Sequence, residues 1–77
     1  MKDVLEVVIK NLVDNAQEVS INEKTNANAI SYEIKVAKDD MGKVIGKQGK
    51  MAKAIRTLMK SIALKEHKRI NIEFLDN

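Results

Sequence analysis

Val44-Ile45-Gly46-Lys47-Gln48-Gly49-Lys50 is the stretch that decides how this chain is read. Two glycines three apart mean little alone: at an average glycine usage of ~7%, roughly one chain of this length in three carries such a pair. Their setting carries the information. All three glycines, Gly42, Gly46 and Gly49, fall within eight residues, and the segments on either side read as helices. Glycine has no Cβ, so a backbone built from it can approach a ligand closely and adopt dihedrals that other residues avoid. The loop also feeds the start of a helix, where unbonded N–H groups and the positive dipole end favour anions. Lys47 and Lys50 add mobile positive charge, and Gln48 adds a neutral hydrogen-bonding group. A sugar-phosphate backbone is the ligand such a loop suits.

Downstream, Ala52, Ile55, Leu58, Met59, Ile62 and Ala63 recur at helical spacing over about Lys50–Lys65, with Lys50, Lys53, Arg56, Thr57 and Lys60 on the opposite face. Upstream, Asp39 or Asp40 is placed to cap a short helix through about Ile45. Ile30, Tyr32, Ile34 and Val36 alternate with polar residues and predict a half-buried strand. Before it, Val19-Ser20-Ile21 begins a short strand, and the Asn-rich run 22–28 reads as a polar turn, so the two strands form a hairpin. Ile70, Ile72 and Phe74 mark a last strand. Residues 2–15 read as an opening helix with Val4, Leu5, Val8, Ile9, Leu12 and Val13 on its apolar side. The order is α-β-β-α-α-β. A hairpin is antiparallel and a helical crossover suits parallel strands, so the expected fold is α+β, a three-stranded mixed sheet packed against three helices.

A chain of 77 residues is expected to form one domain, 1–77, with a thin core that pairing with another subunit would reinforce. Charged residues at 32% and apolar residues at 44% describe a globular protein rather than a disordered one. No apolar run approaches a membrane span, and Met1-Lys2-Asp3 does not open a signal peptide. Cysteine is absent, which removes disulfides, thiolate catalysis and cysteine metal sites, and suits a cytoplasmic location. Residues 38–69 hold ten of the fourteen basic residues and three of the eleven acids, and no acid lies between Met41 and Lys65. Such a one-signed field points to a polyanionic partner. His67 has no metal-ligand companion at useful spacing and reads as a surface residue. Asp39 and Asp40 are adjacent and so do not converge on one reacting atom, Met41, Met51 and Met59 read as core fillers, and no enzymatic site or cofactor is expected.

Two other phosphate loops fail on the residues. A Walker A loop needs a glycine where Val44 stands and Ser or Thr where Met51 stands. A dinucleotide fingerprint also needs glycine at position 44, inside a βαβ unit. By contrast, Gly42-Lys43-Val44-Ile45-Gly46-Lys47-Gln48-Gly49-Lys50, with Ala52-Lys53-Ala54-Ile55-Arg56 downstream, closely resembles the core motif of KH domains. With the element order, it resembles the type II arrangement of that fold and, over essentially the whole chain, the KhpA family of small bacterial KH proteins. Ala52, where many KH domains carry a larger aliphatic residue, and the polar segment 19–30 depart mildly from the pattern.

The resemblance implies a cytoplasmic protein that binds single-stranded RNA as a chaperone or post-transcriptional regulator. It implies a larger KhpB-like partner with its own KH domain, and a link to cell elongation, cell shape and wall homeostasis. A homodimer is the other pairing left open. Carried over residue by residue, Gly46, Lys47, Gln48 and Gly49 would contact the phosphate backbone. Val44-Ile45, Lys50 and Lys53, together with Ala52 and Ile55, would form one groove wall, and the Ile30–Val36 strand the other. Lys43 and Arg56 complete the expected RNA-binding set. Tyr32 and Phe74, the only aromatics, sit on apolar strand faces, so base stacking is not expected and binding should be salt-sensitive and loosely specific. The alternative function is a KH-fold protein-interaction module with little RNA affinity of its own. Nothing in the sequence separates RNA from single-stranded DNA.

Overall fold

The computed structural model describes residues 1–75; Asp76 and Asn77, the last two of the expected 1–77 domain, lie outside the described residues. The elements are α1 (Lys2–Leu12), β1 (Ser20–Asn26), β2 (Ala29–Lys35), α2 (Met41–Ile45), α3 (Lys50–Lys65) and β3 (Arg69–Leu75), with single 3-10 turns at Ala16–Glu18, Lys38–Asp40 and Lys47–Gly49. The sheet order is β1-β2-β3. The hairpin β1–β2 is antiparallel, and β2–β3, joined through α2 and α3, is parallel. This is the α-β-β-α-α-β mixed sheet that the periodicity predicts.

The core lies where the helices meet one face of the sheet. Leu5, Ile9 and Val13 from the first segment, Ile30, Tyr32 and Ile34 from the central strand, Val36 just after it, and Val44, Ile55, Met59 and Ile72 form one buried cluster. The alternation along β2 follows from the pleat, which sends successive side chains to opposite faces. The α3 stripe narrows relative to the sequence expectation: Ala52, Ile55, Met59 and Ala63 are buried, whereas Leu58 and Met51 are exposed. A 16-residue helix against a three-stranded sheet has one narrow line of contact, and the flanks of its apolar face stay outside.

Two elements depart from the sequence reading. The polar run 22–26 continues β1 instead of turning, in register from Ser20↔Lys35 to Asn26↔Ala29, so the turn shrinks to Ala27 and Asn28, with Ala27 at φ 51°. As an edge strand only Ile21 is half-buried, so β1 carries no apolar alternation for the sequence to reveal. Its Glu23 lies opposite Tyr32 and accepts a 2.7 Å hydrogen bond from the Tyr32 hydroxyl. Burial first, and that carboxylate second, push the Tyr32 phenol above its ordinary range.

The second departure is at the end of α1, which stops at Leu12 instead of running to residue 15. Val13 is extended, and the backbone N–H groups of Asp14 and Asn15 donate to the Asp40 carboxylate at 3.2 and 2.9 Å; the Asn15 side-chain amide adds a third bond at 3.0 Å. Asp40, expected as a local helix cap, makes no capping bond to α2. It ties the end of α1 to the start of α2 instead.

Candidate nucleic-acid interface

The loop hangs between two anchored helices. α2 is five residues long, far too short to persist alone, and it is held at its start and by one buried side chain. At its start Asp40, 1% exposed, is bonded to the α1 terminus, and in its middle Val44 is fully buried. At its end the N–H of Gly46 donates to the Gly42 carbonyl at 2.9 Å.

Three of the next four residues have positive φ: Gly46 at 75°, Gln48 at 56° and Gly49 at 72°. The two glycines serve different needs. Gly46 has ψ 177°, a region essentially reserved for glycine, and a Cβ there would fall 2.7 Å from the Met51 Cβ and 2.9 Å from the Met51 backbone nitrogen. Gly49 is left-handed, but a Cβ there would meet nothing within 4 Å among the described residues. Gly46 therefore supplies both dihedral and space, packing the loop onto the first turn of α3, while Gly49 supplies dihedral alone. Gln48 holds a left-handed conformation without being glycine, at a cost of about 1–2 kcal/mol.

α3 begins at Lys50 with no side-chain cap and no acid in its first turn. The Lys50 N–H turns back to the Lys47 carbonyl and the N–H groups that follow have no partners within the helix, so a ligand at the loop meets the positive end of a sixteen-residue helix. Lys47, Lys50 and Lys53 surround this end, and among the described residues none of them has an ion-pair partner.

Two expected contact residues are otherwise engaged. The Lys43 ammonium pairs with Asp14 and lies 3.5 Å from Asp40. The hydrogen bond that the ammonium donates to Asp14, with Asp40 beside it, raises the Lys43 pKa above its ordinary value. The Arg56 guanidinium lies over the Phe74 ring at 5.6 Å, and its Nε donates to the Ile72 carbonyl at 3.2 Å. Arg56 thus carries its charge onto β3, away from the phosphate loop.

The groove walls differ from the sequence expectation. Val44, Ala52 and Ile55 are core residues, no more than 3% exposed, and only Ile45 of the expected apolar wall is half-buried. β2 is the central strand, with Ile30, Tyr32 and Ile34 buried, as is Val36 just after it, so it cannot supply the facing wall. The strand that flanks α3 is β3, whose outer edge pairs with no other strand among the described residues. The Arg69 N–H donates inward to Asn28, so by the alternation of a strand the backbone groups of Ile70, Ile72 and Phe74 face outward. The Arg56 bond to Ile72 agrees with that alternation. The sequence reading did not place β3 beside α3, although the signal was available in the topology: a parallel crossover puts the strand after α3 next to it.

The same fold recurs in known proteins. The sequence profile described as KhpA/KhpB, KH domain matches residues 2–74. A Clostridium acetobutylicum protein named RNA-binding protein KhpA is 53% identical over 75 residues, covering 97% of this chain and 100% of the relative. Proteins of the same name from Clostridium perfringens and Chlamydia caviae are 48% and 47% identical, over 97% and 100% of this chain and 100% and 99% of their own lengths. Among solved structures, a crystal structure of Aquifex aeolicus Era superposes with a TM-score of 0.64 at 17% identity, covering 96% of this chain and 29% of that one, a likeness of fold alone. On the profile match and these full-length relatives, the chain belongs to the KhpA family of KH-domain proteins.

Proposed function

We propose that this protein binds single-stranded RNA, gripping the phosphate backbone with Gly46, Lys47, Gln48 and Gly49 and steadying it with Ile45, Lys50 and Lys53. The observation that carries the reading is the uncapped, acid-free start of α3 beneath a loop whose backbone has no side chain in the way at Gly46 and Gly49. The printed names of the relatives, RNA-binding protein KhpA, support the choice of ligand. Lys43 contributes through the field rather than by contact, because its ammonium is held by carboxylates. Arg56 contributes from the β3 side of the groove. No residue is assigned a catalytic role.

In this reading the protein acts in the cytoplasm as an RNA chaperone or post-transcriptional regulator. It pairs with a larger KhpB-like protein or with itself, in the processes of cell elongation and wall homeostasis that the family resemblance implies. A module of this kind clamps about four nucleotides, and pairing two of them raises avidity without new contacts.

The test is a fluorescence-polarisation titration of the wild-type protein alone against short unstructured RNA and the matching DNA. With three or four phosphates neutralised, the slope of log K against log salt is expected near −2 to −3, so that affinity falls about 20–50-fold between 50 and 200 mM salt. Absence of binding to either strand would favour a protein-interaction module. Equal binding of DNA would remove RNA selectivity from the reading.

A further inference from the structure

A recess of about 300 Å³ lies far from the glycine loop, where the last turns of α3 meet the start of β3. Leu64 and Ile70 contribute its apolar surface, and Lys60, Lys68 and Arg69 stand around it. Leu64 is 72% exposed, a large apolar side chain held in water with cations around it. Among the described residues none of these three cations has an ion-pair partner. A smaller recess, lined by Arg56, Lys60, Ile70, Asn71 and Ile72, shares Lys60 and Ile70 with it and continues toward the loop along the outer edge of β3.

We infer that this recess is a second nucleotide subsite, which takes the base and phosphate of an RNA nucleotide beyond those clamped at the loop. The inference rests on the RNA-binding reading above. Lys50 to Leu64 is about 21 Å along the helix, so the cationic flank runs well past the loop itself. With no aromatic in the lining, the apolar surface of Leu64 and Ile70 would take a nucleobase face by burial rather than by stacking, and the cations its phosphate by charge. The recess sits at the C-terminal end of α3, where the helix dipole does not attract anions. The phosphate affinity therefore comes from Lys60, Lys68 and Arg69, and can be removed by neutralising them. None of the three belongs to the loop machinery.

The experiment is a length series. Wild-type protein and the variant Lys60→Gln/Lys68→Gln/Arg69→Gln are titrated by fluorescence polarisation with single-stranded RNA of four to eight nucleotides, with thermal melts to confirm folding. A second variant, Leu64→Ser, alters an exposed side chain and leaves the charge unchanged. For the wild type, affinity is expected to climb about tenfold between four nucleotides and six or seven. In both variants that climb flattens, while tetramer affinity stays within about threefold. Wild-type affinity that stops rising at four nucleotides, or a variant that climbs as the wild type does, overturns the subsite and leaves the loop reading standing. Failure of every length to bind the wild type overturns both.

Discussion

Replacing Gly46 by alanine is expected to destabilise the protein by at least about 3 kcal/mol and to abolish RNA binding, whereas Gly49→Ala costs about 1–2 kcal/mol. Both residues have φ near +70°, but Gly46 at ψ 177° lies in a region essentially closed to alanine, whereas Gly49 at ψ 13° is in the left-handed region alanine can enter at a cost. They differ also in what surrounds the missing Cβ. At Gly46 it would press on the Met51 Cβ at 2.7 Å and on the Met51 nitrogen at 2.9 Å, and that nitrogen belongs to the first turn of α3, which cannot move without carrying the helix. At Gly49 the space is open. For a domain of this size 1 kcal/mol shifts the melting temperature by about 4–8 °C, so Gly46→Ala should melt at least about 12–24 °C below wild type and Gly49→Ala about 4–16 °C below it, the smaller drop at any one value of that factor. Thermal melts followed by circular dichroism decide the order; equal loss at the two positions would show that the Met51 contact does not constrain the loop.

The second large effect is expected at Asp40. Its carboxylate is 1% exposed and accepts three hydrogen bonds from Asp14 and Asn15, with Lys43 beside it. Asp40→Ala leaves two backbone N–H groups at the α1 terminus without their acceptor and frees the N-terminal side of α2. Melting should drop by at least about 5 °C. Because α2 carries the glycine loop, RNA affinity should fall as well. The pH dependence follows from the same contacts. Burial acts to raise the Asp40 pKa, but the bonds from Asn15 and Asp14 and the charge of Lys43 outweigh it, so the folded-state value is lowered. A lowered folded pKa means that the unfolded chain takes up the proton first. The stability from this carboxylate is therefore complete above its unfolded pKa of about 4 and disappears as pH falls through the folded value. Urea unfolding at pH 7 and pH 3 should show a smaller acid-induced loss in Asp40→Ala than in wild type. An identical loss in both would mean that Asp40 is not held as described.

Much of this was legible in the chain itself. β2, α3 and β3 announce themselves by period, because each buries one face, and the glycine loop stands out because helices flank it. β1 was legible only at its start: an edge strand with one half-buried side chain has no alternation, so its asparagines read as a turn. The role of Asp40 was illegible for another reason. Its partners lie 25 and 26 residues away, and a carboxylate before a helix looks like a cap whether or not it makes the capping bond. The loop contacts were anticipated as a set, but the set mixes groups in different states: Lys47, Lys50 and Lys53 have no ion-pair partner among the described residues, Lys43 is paired, and Arg56 is fastened to β3. Sequence spacing places charges on a face and does not report which of them are already engaged.

The most direct measurement compares wild type with Lys47→Asp/Gln48→Asp in a fluorescence-polarisation titration against a short unstructured RNA. Aspartate tolerates the left-handed conformation held by Gln48 at φ 56°, so the variant should melt close to wild type. Two carboxylates at the uncapped start of α3 would occupy or repel from the phosphate site. The expected result is a loss of RNA affinity of at least about 30-fold, roughly 2 kcal/mol, with the fold intact. RNA binding unchanged in a folded variant would contradict the claim that this loop grips the backbone.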